Sequence, residues 1–324
     1  MKKLLTKKNA LTFLAVIAVV AICYFGFGFV SPKWQKTLIT AAYYIIGALG
    51  LNLIIGVSGQ FSLGHAGFIA IGAYSVGIIF QHDASLMGFA LGLAIGIVIT
   101  CAVALVIAIP TFRLRGDYLA IATLGFSEII RIVIQNMEIT GGAAGLSYIA
   151  FESIMDDGMF LMMIITIVLS ILLIVNYVKS SQGRATIAVR EDEIAAEAMG
   201  VNTTKYKTIA FLIGASLAAI SGAYFGPMNF FIKPGDFGFQ KSIDVLVIVV
   251  LGGMGSLSGT VMAGIFIAIV NTLLQNYAEI RMILYALVLI LVMILRPTGL
   301  FGDKEITDLK LKDFKFKKKT KEAK

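Results

Sequence analysis

The chain has 324 residues, of which 58% are hydrophobic and 14% charged, and its formal net charge is +8. A soluble domain of this length has no use for so much apolar surface, so the composition excludes an ordinary soluble globular protein. Several apolar runs lack a charge over about 18 residues, nearly enough helix to cross a bilayer core of about 30 Å. The runs are continuous and do not alternate with polar residues, so they predict an all-α polytopic membrane protein rather than a barrel.

Seven spans are predicted before residue 240, at roughly 10–30, 37–56, 63–81, 86–110, 117–135, 159–178 and 207–226. The first imitates a signal peptide, but its apolar core is longer than a cleavable one, which indicates an uncleaved span. The tract 243–275 is too long for one crossing, and the glycine-rich run 252–256 predicts a break into two helices. A last span at 280–295 brings the prediction to about ten transmembrane helices.

Basic residues predict the orientation of these spans. Four lysines lie in the first eight residues, and nine lysines follow Pro297. Because excess Lys and Arg mark the cytoplasmic side, both termini are predicted to be cytoplasmic, which requires an even number of spans. The chain then divides into a transmembrane domain, residues 1–302, and a basic cytoplasmic tail, residues 303–324. This tail either lies on anionic lipid or only fixes the topology.

A charged loop, "RATIAVREDEIAAEAMGVNTTKYK" (residues 184–207), separates the sixth and seventh spans and is predicted to be cytoplasmic. Its charges and a helix-ending glycine fall on one short segment: Arg190, Glu191, Asp192, Glu193, Glu197 and Gly200. Apolar residues at three- and four-residue spacing fall on one helix face: Ile187, Ile194, Ala195, Ala198 and Met199. Asp192 can cap the segment from Glu193 and Gly200 suits its end, so the pattern predicts a short amphipathic helix of about two turns within about 187–200. It serves either as a solvated connector or as an attachment surface.

The sequence contains no readable catalytic set. A phosphate loop of the form G-x-x-x-x-G-K-[ST] is absent, and two histidines, His65 and His82, do not make a metal cluster. Cys23 and Cys101 lie inside apolar runs and indicate neither a disulfide framework nor a metal site. We therefore expect neither an enzyme nor a cofactor in this chain, and expect any motor to be a separate protein.

Six blocks in order resemble the permease subunits of bacterial branched-chain amino-acid ABC importers, of the LivM-like kind. They are "GVSGQFSLGHAGFIAIGAY" (56–74), "LRGDYLAIATLGFSEIIR" (114–131), "ITGGAAGL" (139–146), "VREDEIAAEAMGVN" (189–202), "LVIVVLGGMGSLSGTVMAG" (246–264) and "RPTGLFG" (296–302). The resemblance extends over nearly the whole chain, roughly residues 38–302.

The resemblance implies a cobalamin-importer-like permease fold in the bacterial plasma (inner) membrane, with residues 1–302 as the permease domain. It implies that the helix at 187–200 couples the permease to ATP-binding subunits, although Ile194 stands where the family's coupling signature has Glu. The implied partners are two cytoplasmic ATP-binding subunits that bind the ATP, a second homologous permease, an extracytoplasmic substrate-binding protein and membrane lipid; nucleic acid is not among them. The segment 136–158 and Lys233 or Lys241 are candidates for contacting the binding protein.

Polar residues at membrane depth are candidates for a translocation pathway. Gln60, Ser62 and His65 lie where the second span turns into the third, and they either line a pathway or only complete a tight glycine-rich turn. Glu128 and Arg131 lie one turn apart on the fifth span and are expected to form an ion pair. This pair either faces other helices or lines the pathway.

The resemblance leaves the cargo open, since related permeases carry urea, short amides or other amino acids. A second alternative is a secondary transporter that couples to an ion through Glu128. Such a transporter would make little use of the charged loop at 184–207.

Overall fold

The computed structural model describes residues 27–28, 30–112, 114, 116–148 and 158–275, and beyond them the helical positions 283, 287, 290, 291 and 294. The predicted first span, apart from its last few residues, the greater part of the last span and the basic tail 303–324 lie outside the described residues. The described part is mostly helical, with one short antiparallel pair of strands.

Ten α-helices follow one another in the described residues: α1 Pro32–Asn52, α2 His65–Phe80, α3 Leu86–Thr111, α4 Asp117–Asn136, α5 Gly158–Lys179, α6 Ser181–Glu191, α7 Glu193–Ala198, α8 Thr203–Asn229, α9 Phe239–Gly252 and α10 Leu257–Leu273. The first helix continues directly into a π-helical turn, Leu53–Val57. The two strands, β1 Leu146–Ser147 and β2 Phe231–Ile232, pair antiparallel with Leu146 opposite Ile232.

The predicted spans between residues 37 and 275 all correspond to helices. The predicted break in the tract 243–275 is confirmed, because α9 ends at Gly252 and α10 begins at Leu257. Gly253 (φ 108°) and Gly255 (φ 97°) adopt left-handed backbone conformations that side-chain-bearing residues avoid, which stops the helix. The span predicted at 63–81 is shorter, because the chain after the π-helical turn is irregular as far as Gly64.

Among the described residues, four helical segments are long and apolar enough to cross a bilayer: Pro32–Val57, Leu86–Thr111, Gly158–Lys179 and Thr203–Asn229. The first and last of these are mostly buried, so α1 and α8 lie at the centre of the bundle. In contrast, most residues of α3 and α5 are not buried, and Leu91, Val98 and Leu169 are among the exposed ones. Large exposed apolar faces of this kind are what a helix needs against lipid.

Glycines allow the central helices to approach closely. A Cβ atom on Gly72 of α2 would overlap the carbonyl oxygen of Ala219 on α8, and one on Gly222 of α8 would overlap that of Ile69. The sequence pattern Gly88, Gly92, Gly96 predicts a packing seam, and both Gly92 and Gly96 do face α2. This small-residue contact is typical of helix association in membranes, where close backbone packing replaces hydrophobic burial.

The two ends of the bundle differ. At one end, α6 and α7 form a corner between α5 and α8. At the other, the block "ITGGAAGL" forms two 3₁₀ turns, and β1 then pairs with β2 just after α8. Since α8 has 27 residues, these ends lie about 40 Å apart.

Candidate functional site

The charged loop 184–207 forms a helix–helix corner rather than one helix. Ser180 caps α6 by accepting a hydrogen bond from the Gly183 amide at 3.1 Å. Asp192 then leaves the helical conformation (φ −153°), and its carboxylate accepts hydrogen bonds from the Ile194 and Ala195 amides at 3.0 Å each. The prediction that Asp192 caps the segment from Glu193 is therefore confirmed, but the bounds of about 187–200 are wrong for one helix, because α6 ends and α7 begins within them. The Asp192 side chain starts a new helix instead of continuing the old one.

This break changes which side chains share a face. Ile187 on α6 is half-buried against the bundle, whereas Ile194 and Met199 after the break are 69% and 84% exposed. The predicted common apolar face of Ile187, Ile194 and Met199 therefore does not exist. The corner instead turns α7 outward, with Ala196 as its buried contact. Gly200 ends the segment in a left-handed conformation (φ 82°), as a helix-ending glycine does.

The charged residues of the corner divide into two groups. Arg190 donates a hydrogen bond from Nη1 to the Gly56 carbonyl oxygen at 2.5 Å and also pairs with Glu191. Glu193 Oε1 forms an ion pair with Lys207 Nζ at 2.6 Å. The side chains of Arg190 and Glu193 are thus bonded to other parts of the chain. Glu191, Asp192 and Glu197 are exposed.

The glycine-rich turn before α2 buries its polar side chains and supplies partners for each. Gln60 Nε2 donates to Ser58 Oγ at 2.6 Å and to the Lys207 carbonyl oxygen at 3.1 Å. Ser62 Oγ accepts from the Gly64 amide, and His65 Nε2 lies 2.9 Å from the Gly47 carbonyl oxygen. Gln60 Oε1 and His65 Nδ1 are buried with no hydrogen-bond partner in the described part of the chain.

A residue that the sequence reasoning overlooked, Asn52, joins the two helix breaks. Its Oδ1 accepts from the Gly255 amide at 2.6 Å. Its Nδ2 donates to the Ser256 carbonyl oxygen at 2.9 Å and to Thr260 Oγ1 at 2.6 Å. The available signal was an amide within an otherwise apolar run, because a polar group at membrane depth requires a partner.

The expected ion pair on α4 is present. Arg131 Nε lies 2.7 Å from Glu128 Oε2, and Arg131 Nη1 donates to Gln135 Oε1 at 3.3 Å. The side chains of Arg131 and Glu128 are 25% and 32% exposed. Because the pair is neither buried among helices nor fully open, it lies at the surface of the bundle, within reach of another molecule.

The two lysines proposed for binding-protein contact differ in exposure. Lys233 is exposed beside β2, next to the ring of Phe231. Lys241 on α9 is buried, with Nζ 4.0 Å from the ring centroid of Phe225 and 3.2 Å from Tyr44 Oη. The prediction of Lys241 as a contact for an outside protein is therefore wrong, since aromatic rings surround its ammonium group.

The chain matches, over residues 35–295, the family described as branched-chain amino acid transport system / permease component. This chain belongs to that family. The match contains all ten helices except the first three residues of α1, so it includes the corner, both helix breaks and the ion pair on α4. It confirms the resemblance drawn from the six sequence blocks.

Individual relatives agree with the family. The high-affinity branched-chain amino acid transport system permease protein LivM of Escherichia coli K12 is 37% identical over 287 residues, which cover 79% of this chain and 67% of LivM. LivM of Salmonella typhimurium LT2 is 34% identical over 319 residues, 89% of this chain and 74% of the relative. LivH of the same organism is 25% identical over 301 residues, which cover 86% of this chain and 97% of LivH. No solved structure matches the chain.

The permease is accordingly a multi-pass protein of the bacterial inner membrane and a subunit of an ABC importer. As a component of a transport system, it acts together with other subunits. The corner α6–α7 and the α4 pair each combine charge with exposure and lie within the matched residues 35–295.

Proposed function

We propose that this permease moves branched-chain amino acids into the cell, and that the α6–α7 corner attaches it to a cytoplasmic ATP-binding subunit. The observation that carries the coupling role is the outward turn of α7, which exposes Ile194 and Met199 beside Glu197. Large apolar side chains exposed in a charged segment are typical of a surface that binds another protein. Relatives named as branched-chain amino acid permeases support the cargo.

The geometry supports a division of labour within the predicted coupling residues. Glu191, Asp192 and Glu197 point away from the bundle and are available to the ATP-binding subunit, and Gly200 ends the surface they form. Arg190 and Glu193 hold the corner to the permease. Movement of the partner is therefore passed to the bundle through residues different from those that make the contact.

The complete importer has two ATP-binding subunits, a second homologous permease and an extracytoplasmic binding protein. ATP binds to the partner subunits, and the permease has neither a catalytic site nor a cofactor. Both termini are cytoplasmic and about ten spans cross the membrane, in a fold like that of cobalamin importers. The end of the bundle that carries the β1–β2 strand pair then faces outward, where Lys233 and the segment beginning at 136 contact the binding protein.

The substrate pathway is proposed to pass along α4 toward the glycine-rich turn. Glu128 and Arg131 present a negative and a positive group 2.7 Å apart, which is complementary to the ammonium and carboxylate of an amino acid. Gln60, Ser62 and His65 lie near the inner end, where the unpartnered atoms Gln60 Oε1 and His65 Nδ1 can accept hydrogen bonds when the turn moves.

Cysteine crosslinking tests the coupling role. In a variant without Cys23 and Cys101, Glu197→Cys is expected to crosslink in native membranes to a subunit that carries a phosphate loop, with a yield that ATP changes. Gly235→Cys, just after β2 at the other end of the bundle and with open space around its Cβ position, is the matched control and should not crosslink to it. A Glu197→Cys thiol that reacts freely with water-soluble reagents and captures no ATP-binding subunit would contradict the proposal.

Transport in vesicles tests the cargo and the rivals. In a preparation free of inside-out vesicles, labelled leucine and valine should enter only with ATP and the binding protein. Labelled urea and acetamide should neither enter nor compete with the amino acids. Uptake of the amides instead would assign the permease to the amide branch of its family. Uptake driven by an ion gradient without ATP would favour a secondary transporter, although the pairing of Glu128 with Arg131 leaves little free charge for ion coupling.

A further inference from the structure

We propose that Arg190 and Asn52 form a link that carries movement of the α6–α7 corner to both helix breaks, after α1 and between α9 and α10. The proposal rests on the coupling role of the corner and adds the route inside the permease. The juxtaposition that carries it is a chain of direct contacts from Arg190 to Gly56, from Gly56 to Gly255, and from Gly255 to Asn52.

The first contact joins the corner to α1. Arg190 is the residue before the last of α6, and its guanidinium donates to the Gly56 carbonyl oxygen in the π-helical turn, 134 residues earlier in the sequence. The aliphatic part of Arg190 lies against Gly59, where an added Cβ would stand 2.7 Å from Arg190 Cγ. Glu191 accepts from the same guanidinium, which orients it. A charge-assisted hydrogen bond to a buried carbonyl makes this contact a firm one.

The second contact joins the two helix breaks. A Cβ atom on Gly56 would overlap the Gly255 amide nitrogen and lie 2.7 Å from its Cα atom. The backbones of the π-helical turn and of the break after α9 therefore touch directly. π-helical turns and glycine breaks are points where a helix changes its path with little cost, so two segments of this kind lie side by side in the permease.

The third contact fixes these segments to each other. The Asn52 side chain is 1% exposed, and it bonds the Gly255 amide, the Ser256 carbonyl oxygen and Thr260 Oγ1. The amide nitrogen donates two of these bonds and the amide oxygen accepts the third, and all three go to residues at the start of α10. A shift of α1 at Gly56 must therefore displace α10 as well.

A cavity beside the link leaves room for such a shift. It has a volume of about 510 Å³ and is lined by Gly56, Ile187, Arg190, Gly255 and Leu257, with α5 on its far side. Tightly packed interiors resist small displacements, because every side chain is in contact with others. Space next to Arg190 and both breaks allows the corner to move relative to α5 without a clash.

Hydrogen exchange of the purified permease in nanodiscs tests the link without any partner subunit. In Arg190→Gln we expect exchange to rise about tenfold at the amides of both 58–60 and 253–256, since a hydrogen bond to a charged group contributes about a factor of ten or more. Asn52→Ala should raise exchange at Gly255. Arg184→Gln is the matched control on the same helix, because within the described part of the chain the Arg184 side chain bonds only Lys179 and Ser181 nearby. An Arg190→Gln effect confined to 58–60 would overturn the link.

The same variants in the reconstituted importer test whether the link between the corner and the helix breaks is used in transport. We expect Arg190→Gln and Asn52→Ala each to lower substrate transported per ATP hydrolysed about tenfold, and the double variant to be no worse than either alone. Ser221→Ala removes a buried bond to the Tyr43 carbonyl oxygen away from the breaks and should keep the ratio. Unchanged ratios or additive losses would overturn the link. If no ATP-binding subunit assembles with the unmodified chain, the coupling role fails, and hydrogen exchange still decides the link.

Discussion

Lys207 and Glu193, fourteen residues apart, form an ion pair of 2.6 Å between Lys207 Nζ and Glu193 Oε1. Both side chains are mostly buried, and the Lys207 carbonyl oxygen accepts a hydrogen bond from Gln60. The start of α8 therefore holds α7 on one side and the glycine-rich turn on the other. This arrangement fixes the outward direction of α7 while Ile194 and Met199 stay exposed.

Lys207→Met should loosen α7 from the bundle. The loss of a largely shielded ion pair is expected to cost about 1 kcal/mol in the docking of α7 and to leave the rest of the fold intact. Amide exchange across α7 measures the effect. Lys205→Met, an exposed neighbour two residues away, is the control and should leave exchange unchanged. Equal exchange in the two variants would show that Lys207 does not hold α7.

Lys241→Ala should destabilise the whole permease. The Lys241 ammonium lies 4.0 Å from the ring centroid of Phe225, 4.4 Å from that of Tyr44 and 5.2 Å from that of Tyr43. Desolvated cation–π contacts contribute about 2 kcal/mol, so the melting temperature in detergent should fall by several degrees. Exposed Lys233→Ala should melt as the unmodified protein does. A Lys241→Ala protein with the same melting temperature as Lys233→Ala would contradict the packing role of Lys241.

Gly72→Ala and Gly125→Ala should act in opposite directions although both replace a helical glycine. A Cβ on Gly72 overlaps the Ala219 carbonyl oxygen, which forces α2 and α8 apart at a cost of about 1–3 kcal/mol. Gly125 on α4 has open space and an ordinary helical backbone, so alanine should stabilise the helix by up to about 1 kcal/mol. Thermal melting of the two purified variants distinguishes them. A destabilising Gly125→Ala would indicate that another molecule covers α4.

Exchanging the charges of Glu128 and Arg131 separates structure from transport. Single neutral variants leave one charge unpaired at membrane depth, at a cost of at least about 2 kcal/mol. The double variant Glu128→Arg with Arg131→Glu should recover the melting temperature, because the one-turn spacing is kept. We expect it not to recover uptake, since the order of charges along the pathway is reversed. Full recovery of uptake would make the pair structural.

Much of the bundle was predictable because membrane helices are marked by their own composition. The helix predicted at 86–110 is Leu86–Thr111, and the one predicted at 159–178 is Gly158–Lys179. The split after Gly252 was predictable because positive-φ glycines cannot continue a helix. Each of these features depends on residues that are neighbours in the sequence. The surrounding lipid favours a helix wherever a long apolar run occurs.

The functional surfaces were less predictable. The cap at Asp192 was predicted, but the separate helix α6 that ends just before it was not, because the residues on both sides of Asp192 favour a helix. Lys241 gave the signal of an exposed loop cation, yet three aromatic rings from α1 and α8 enclose it. In both places a single polar side chain makes contacts that the amino-acid composition does not indicate.

The sequence by itself determined that this chain is a helical membrane protein, where most of its described helices run and which loop carries the charges. Hydrophobic length and the positions of glycines are enough for that, because each acts over a few residues. Only the tertiary structure decided that Arg190 turns inward to Gly56 while α7 turns outward, and that Asn52 binds the second helix break. Those contacts join residues 134 and more than 200 positions apart, and only the packed bundle brings them within hydrogen-bond distance.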